Sequence, residues 1–196
     1  MVGGHLYVSS YFGYNIYNLE NSSTQFELTS FDNIDGSASD IVVSESILIV
    51  NSNIEGKIKI FSQLNGELTE RSEIANQNVN SYNGLYLKGN NLFMISGNRI
   101  IFYDISDLDN PIFVDDYFGD SNFGEYSKLA FTSTFFIAGS VFDNTKGSFD
   151  ILTLNDNNEI EFLNHLIFED NSLFIGWDGY NLPLIEDAIS DKVFIM

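Results

Sequence analysis

Short apolar bursts, each closed by a small or polar residue, recur along this chain. "LYVSS" begins at Leu6, "LIVNS" at Leu48, "LFMIS" at Leu92, "FIAGS" at Phe136 and "FIM" at Phe194, at intervals of 42, 44, 44 and 58 residues. Self-similarity at such a period marks a repeat architecture. A first piece ending in a small or acidic residue leads into each later anchor burst: "DIVVSE", "GLYLKG", "KLAFTS", "EDAISD". A third run follows the burst ("YNIYNLE", "KIKIFSQ", "RIIFYDIS", "SFDILTLN"), then a fourth ("FELTSFD", "LTERSEI", "IFVDDYF", "IEFLNHLIF"). Between third and fourth lies a polar turn every time: "ENSST", "QLNGE", "SDLDNP", "NDNNE". Asn, Asp, Ser and Gly supply the backbone conformations that such turns need. In "SGNR" (96–99) a Gly-Asn pair sits between two strand patterns, the signature of a tight two-residue hairpin. No segment sustains a helical period of 3.6.

Four antiparallel strands in some forty-odd residues, tandemly repeated, predict an all-β chain of β-propeller blades. The repeat units fall near 5–47, 48–91, 92–135 and 136–193, together forming a single propeller domain or propeller fragment over 1–196. Counted by phase, the pieces make seventeen strands in groups of three, four, four, four and two. That is about four four-stranded blades plus an extra terminal strand. The extra strand belongs either to a larger ring or to a partner copy, so self-association through it is one expectation. A two-sheet sandwich is the competing architecture, but its strands have no reason to recur at one fixed period.

Composition sharpens this picture. Of 196 residues, 44% are hydrophobic, with 18 Phe and 10 Tyr but only 2 Pro, a bias that suits pleated, half-buried strands. Asp and Glu total 28 against 8 Lys and Arg, a net charge of −20. Such a surface repels phosphate backbones, so no nucleic-acid partner is expected. No Cys is present, which removes disulfides and thiolate metal sites. No run approaches the ~18 apolar residues of a spanning helix, so no membrane insertion is expected. The N-terminal "MVGGHLYVSS" lacks a basic stretch and a long apolar core and does not read as a signal peptide.

"YDISDLDNPIFVDDY" (103–117) resembles the repeat of the LVIVD-type propellers of bacteria and archaea, in which a strand ends in Asp-Val-Ser and an Asn-Pro precedes the outer strand. Asp104, Ile105, Ser106, Asn110 and Pro111 carry the match. The other units keep the geometry but lose Asp-x-Ser and Asn-Pro. The resemblance implies a scaffold of undefined activity and an extracytoplasmic or cell-surface setting.

No motif for nucleophilic, phosphate-binding or zinc chemistry is present, and no catalytic residue is assigned. The two histidines, His5 and His165, fall in different repeats and read as solvated or strand-packed. Carboxylates are the main chemical resource. Asp104, Asp107 and Asp109, followed by Asn110, have oxygen-ligand spacing that can hold calcium, the one candidate cofactor. The same residues also suit Asx turns. Asp32, Asp35 and Asp40 around Gly36 form a second acidic group. Phe102, Phe136, Phe149 and Phe162 sit at alternating strand positions and are expected to pack between blades.

Connections from second to third strand and from fourth to first share one end of every blade, so that end gathers loops rich in Asn, Asp, Gly and Tyr. The interval of 58 residues adds an insertion there, "EDNSLFIGWDGYNLP" (169–183), holding the only Trp. Trp177 and Tyr180 offer flat apolar faces, and Asp178 and Asn181 offer hydrogen bonds at their rim, as ligand-binding candidates. The expected function is a non-catalytic binding or scaffold module that recognises a protein or glycan through this loop face. The alternative is a carbohydrate-active enzyme of glycoside hydrolase type, with carboxylates converging on the ring axis.

Overall fold

The computed structural model of the chain describes residues 5–10, 13–18, 27–32, 38–52, 57–64, 67–75, 84–143, 146–169, 184–187 and 192–195. The described residues form seventeen strands, and the sole helical element among them is a single 3-10 turn, Ser121–Phe123. The strands group as the sequence phase predicts. β1 (His5–Ser10), β2 (Gly13–Asn18) and β3 (Glu27–Asp32) form a three-stranded sheet. β4 (Ala38–Val43), β5 (Ile47–Ser52), β6 (Lys57–Leu64) and β7 (Glu67–Ala75) form a four-stranded one. So do β8 (Gly84–Lys88), β9 (Asn91–Ser96), β10 (Arg99–Asp104) and β11 (Ile112–Phe118). The next set is β12 (Glu125–Phe131), β13 (Phe136–Asp143), β14 (Lys146–Leu154) and β15 (Ile160–Glu169), and β16 (Leu184–Asp187) pairs with β17 (Lys192–Ile195). Strand order follows chain order in every sheet. These are propeller-type blades, and the fold is all-β.

Turn chemistry explains the short connections. Ser96 and Arg99 end adjacent strands, and Gly97 at φ +59° fills the first central position of their two-residue turn. In "NDNNE" the Asn155 side chain accepts from the N–H groups of Asn157 and Glu159, both at 2.9 Å, an Asx-type closure of the β14–β15 hairpin.

The chain divides into two compact units: Met1–Asn91 with Asp104–Ile112, and Leu92–Tyr103 with Phe113–Met196. In the first, β1 lies beside β4 and β4 beside β8. Its core joins Tyr14, Ile16, Leu48, Val50 and Phe61, with Tyr14 and Phe61 edge to face at 6.0 Å. In the second, β12 lies beside β16. An aromatic core centres on Phe93, stacked on Phe102 at 4.7 Å and packed by Phe131 and Phe136 at 5.1 and 5.2 Å. Phe93 and Phe102 belong to one sheet and Phe131 and Phe136 to the next, so the rings meet between the two.

Of the four phenylalanines expected between blades, Phe102, Phe136 and Phe149 are buried. Phe162 is not: it is 47% exposed on β15, stacked against Tyr117 at 6.3 Å. Among the described residues β15 is the edge of its sheet, so Phe162 has strand neighbours on one side only.

Candidate functional site

The most elaborate polar cluster among the described residues lies in the second unit, where the β11–β12 connection meets β14 and β15. Asp150, in mid-β14, is 5% exposed. A carboxylate in that position needs donors. Tyr126 of β12 donates to its Oδ2, and Tyr117 of β11 donates to the same oxygen at 3.3 Å. His165, directly opposite on β15, donates from Nδ1 to Oδ1 at 2.5 Å. Burial pushes the Tyr126 phenol well above its ordinary range, and the neighbouring carboxylate adds to the effect. Tyr117 is pushed up to about 12, by burial first and then by the Asp150 charge and hydrogen bond. Both phenols therefore remain protonated donors at neutral pH.

The cluster holds the connection above it. Phe123 packs its ring 4.3 Å from the His165 imidazole, and its carbonyl accepts from Ser140 Oγ at 2.8 Å. Ser140 Oγ in turn lies 2.7 Å from Ser148 Oγ. Asp120 caps the 3-10 turn, accepting from Asn122 N at 2.9 Å and Asn122 Nδ2 at 2.8 Å. Gly119 N donates to Asn98 O, and Asn98 Nδ2 returns a bond to Gly119 O, each at 2.8 Å. Tyr126 N donates to Gly97 O at 2.9 Å. The β9–β10 turn and the β11–β12 connection thus share one end of the sheet, the shared end that the strand phase implies. Gly119 is buried against the Tyr126 hydroxyl, and a Cβ there would overlap it. Asp120, Ser121 and Asn122 stay exposed above this support.

The cluster is not evident from the motif content. Two signals point toward it: an acid in the apolar run "FDILTL", and one of only two histidines fifteen residues on, across a hairpin whose turn is centred between them. Counting outward from "NDNNE" brings Asp150 to within one residue of His165. The remaining offset is a β-bulge, in which Leu152 opposes Phe162, Ile151 opposes Asn164, and Leu163 is the extra residue. The tyrosines come from β11 and β12, a longer-range meeting that no local pattern announces.

The acids of the 104–110 turn are placed differently. Asp104 Oδ1 accepts from Ser106 N at 2.8 Å, and Asp107 accepts from Asp109 N at 3.0 Å and Asn110 Nδ2 at 2.9 Å. Asp109 leaves the turn and forms a two-pronged pair with Arg71 of β7, at 2.8 and 2.5 Å. The Arg71 guanidinium holds the Asp109 carboxyl below its usual range. Among the described residues no three acids or histidines are grouped to share a metal ion. Asp40 accepts from Leu85 N at 2.7 Å and from Ile41 N at 2.9 Å, and burial raises its pKa. His5 is buried in β1 near the Tyr7 ring. Trp177, Asp178, Tyr180 and Asn181 lie outside the described residues, as do Asp35 and Gly36.

No family model matches the chain, and no curated protein does. Solved structures do share its fold. A functionally unknown protein from Desulfotomaculum acetoxidans superposes with a TM-score of 0.65 at 12% identity, covering 83% of this chain and 52% of that one. A provisionally described 6-phosphogluconolactonase from Bacteroides fragilis gives 0.63 at 12% identity, over 83% and 55%. A hypothetical selenium-binding protein from Sulfolobus tokodaii gives 0.58 at 11% identity, over 80% and 47%. The chain spans about half the length of these proteins. At such identities the likeness speaks for the fold alone.

Proposed function

We propose that this chain is a non-catalytic binding module that presents the loops at one end of its propeller-type sheets to a protein or glycan. The observation that supports this reading is the state of Asp150. A general acid or base must exchange its proton with a substrate. Asp150 instead has both oxygens engaged by three protein donors, and through His165 and Phe123 the same cluster underpins the 119–124 connection. A rigid support beneath exposed Asp120, Ser121 and Asn122 lowers the ordering cost of binding. Backbone amides, carboxylates and carboxamides on such a support suit polar ligands, whether sugar hydroxyls or peptide groups. The 169–183 insertion would add the aromatic part of the surface, with Trp177 and Tyr180 as stacking groups and Asp178 and Asn181 at their rim. The LVIVD-type resemblance adds a cell-surface setting to the proposal.

The test is a glycan array and a displayed random-peptide library, each probed with the native protein and with Asn122→Ala and Trp177→Ala variants. Retained ligands should lose at least tenfold in affinity in one or both variants while the melting temperature stays within about 2 °C. Ligands indifferent to both substitutions would overturn the loop-face reading. Release of shortened sugars from the array would favour the glycoside hydrolase alternative.

A further inference from the structure

We infer that the free edge of β15 takes up an extended peptide with an apolar centre and lysine or arginine around it. Edge strands with unpaired backbone groups are templates for an added strand, and proteins blunt them with charges. The last strands of the other four-stranded sheets carry such charges. β7 carries Glu67, Glu70, Arg71 and Glu73, and β11 carries Asp115 and Asp116. β15 is longer, ten residues, and from Phe162 to Phe168 it has no Asp, Glu, Lys or Arg. Its large side chains face solvent: Leu163 is 52% exposed, Ile167 49%, Phe162 47% and Leu166 39%. Among the described residues its one strand neighbour in the sheet is β14. Side chains of an added strand would find apolar partners along it.

Charge selects the occupant. From Asn155 to Glu169 there are four carboxylates (Asp156, Glu159, Glu161 and Glu169) and no Lys or Arg. Asp156, Glu159 and Glu161 are exposed where the strand begins. Across the chain the excess is −20. A basic segment is drawn toward this edge, whereas a second copy of the same chain is repelled.

Two features guard the edge against indiscriminate pairing. The bulge at Leu163 kinks it, and Asn164 Oδ1 accepts from the His165 N–H at 2.9 Å, occupying a donor that a new strand would use. Asn164 is thus a positioning residue at the edge.

The probe is a nine-residue peptide alternating lysine with valine, beside a glutamate-for-lysine version and a version interrupted by proline. Binding to the native protein at low salt is expected for the lysine peptide only, weakening at least tenfold by 0.5 M salt. Slowed exchange should appear at β15 amides. Leu163→Lys with Ile167→Lys, both at exposed positions, should weaken binding at least tenfold. Asn164→Ala, which frees the His165 N–H, should strengthen it several-fold. Equal binding of all three peptides, or binding that survives the double substitution, overturns the inference. So does a concentration-dependent dimer of the native protein that protects the same amides. Asn122→Ala leaves this binding intact, so the edge and the loop face fail or succeed separately.

Discussion

Replacing Tyr126 with phenylalanine tests whether the Asp150 cluster is a strong support. The ring remains and only the hydroxyl is lost. Asp150, 5% exposed, then loses the closer of its two phenol donors at Oδ2. The Tyr117 hydroxyl is left at 3.3 Å, and His165 stays on Oδ1. A hydrogen bond to a charged group contributes about 1.5–3 kcal/mol, and a buried acceptor left short of donors sits in the upper part of that range. Partial compensation by Tyr117 brings the expected loss to about 2 kcal/mol. For a chain of 196 residues that corresponds to a fall of roughly 4–8 °C in Tm. Tyr117→Phe removes the longer bond of a partly buried ring and should lose less than ~1 kcal/mol. The assay is thermal and urea unfolding of both variants, with hydrogen exchange at the Phe123 and Gly124 amides. Exchange there should quicken in Tyr126→Phe, because the cluster underlies that connection. A Tyr126→Phe variant melting within 1 °C of the native protein, or a larger loss in Tyr117→Phe, would refute the reasoning.

Gly119→Ala drives a Cβ into the Tyr126 hydroxyl. It should lose about 1–3 kcal/mol and quicken exchange at the same amides; a neutral alanine would show that Gly119 is not a close-approach position. In alkali, Tyr117 and Tyr126 have folded-state pKa values raised above the unfolded value of about 10. Their contribution is therefore fully present below pH ~10 and is lost as pH rises toward the folded value of about 12 for Tyr117. Tyrosinate absorbance and circular dichroism recorded together should show the last tyrosines ionising as the sheets unfold; complete ionisation near pH 10 with the sheets intact would contradict this. Calcium at Asp104, Asp107 and Asp109 requires Asp109 to leave Arg71. Arg71→Ala should then gain a larger rise in Tm from millimolar calcium than the native protein does; equal shifts would dissociate the turn from calcium.

The strand grouping was legible because it depends on short-range chemistry. Period-2 runs, polar turns and the Gly97–Asn98 pair act within a few residues, and repetition multiplied each signal. Phe162 was legible in part: alternation places it on the face that meets the neighbouring sheet, where it stacks on Tyr117, but does not tell that it stays partly exposed there. β15 ends its sheet among the described residues, and Phe162 is 47% exposed on it. The meeting of Asp150 with His165 was not legible for a related reason. Each residue type looks solvated in isolation, and it takes hydroxyls arriving from β11 and β12 beside the His165 N–H to satisfy the buried carboxylate. Arg71 and Asp109, 38 residues apart, meet through the stacking of repeats and not through any motif.

The acid excess acquires a structural meaning from the spacing of its partners. Asp40 of β4 accepts from the backbone N–H of Leu85 in β8, and Asp115 of β11 accepts from that of Ile160 at the start of β15. One tie lies in each compact unit, and in both the separation is 45 residues, one repeat. Ser72 Oγ reaches Leu108 O at 2.5 Å beside the Arg71–Asp109 pair, a third tie between neighbouring sheets. A backbone N–H needs only an acceptor, so a carboxylate can fix one sheet against the next without a cation. Repeat proteins depend on such nearest-neighbour contacts, because each unit buries too little surface alone. Ties of this kind leave the strand faces free for apolar packing and let acids accumulate without matching lysines. The same bias then serves both roles argued above: acceptors toward the chain's own backbone inside, and an attractive field for a basic partner outside.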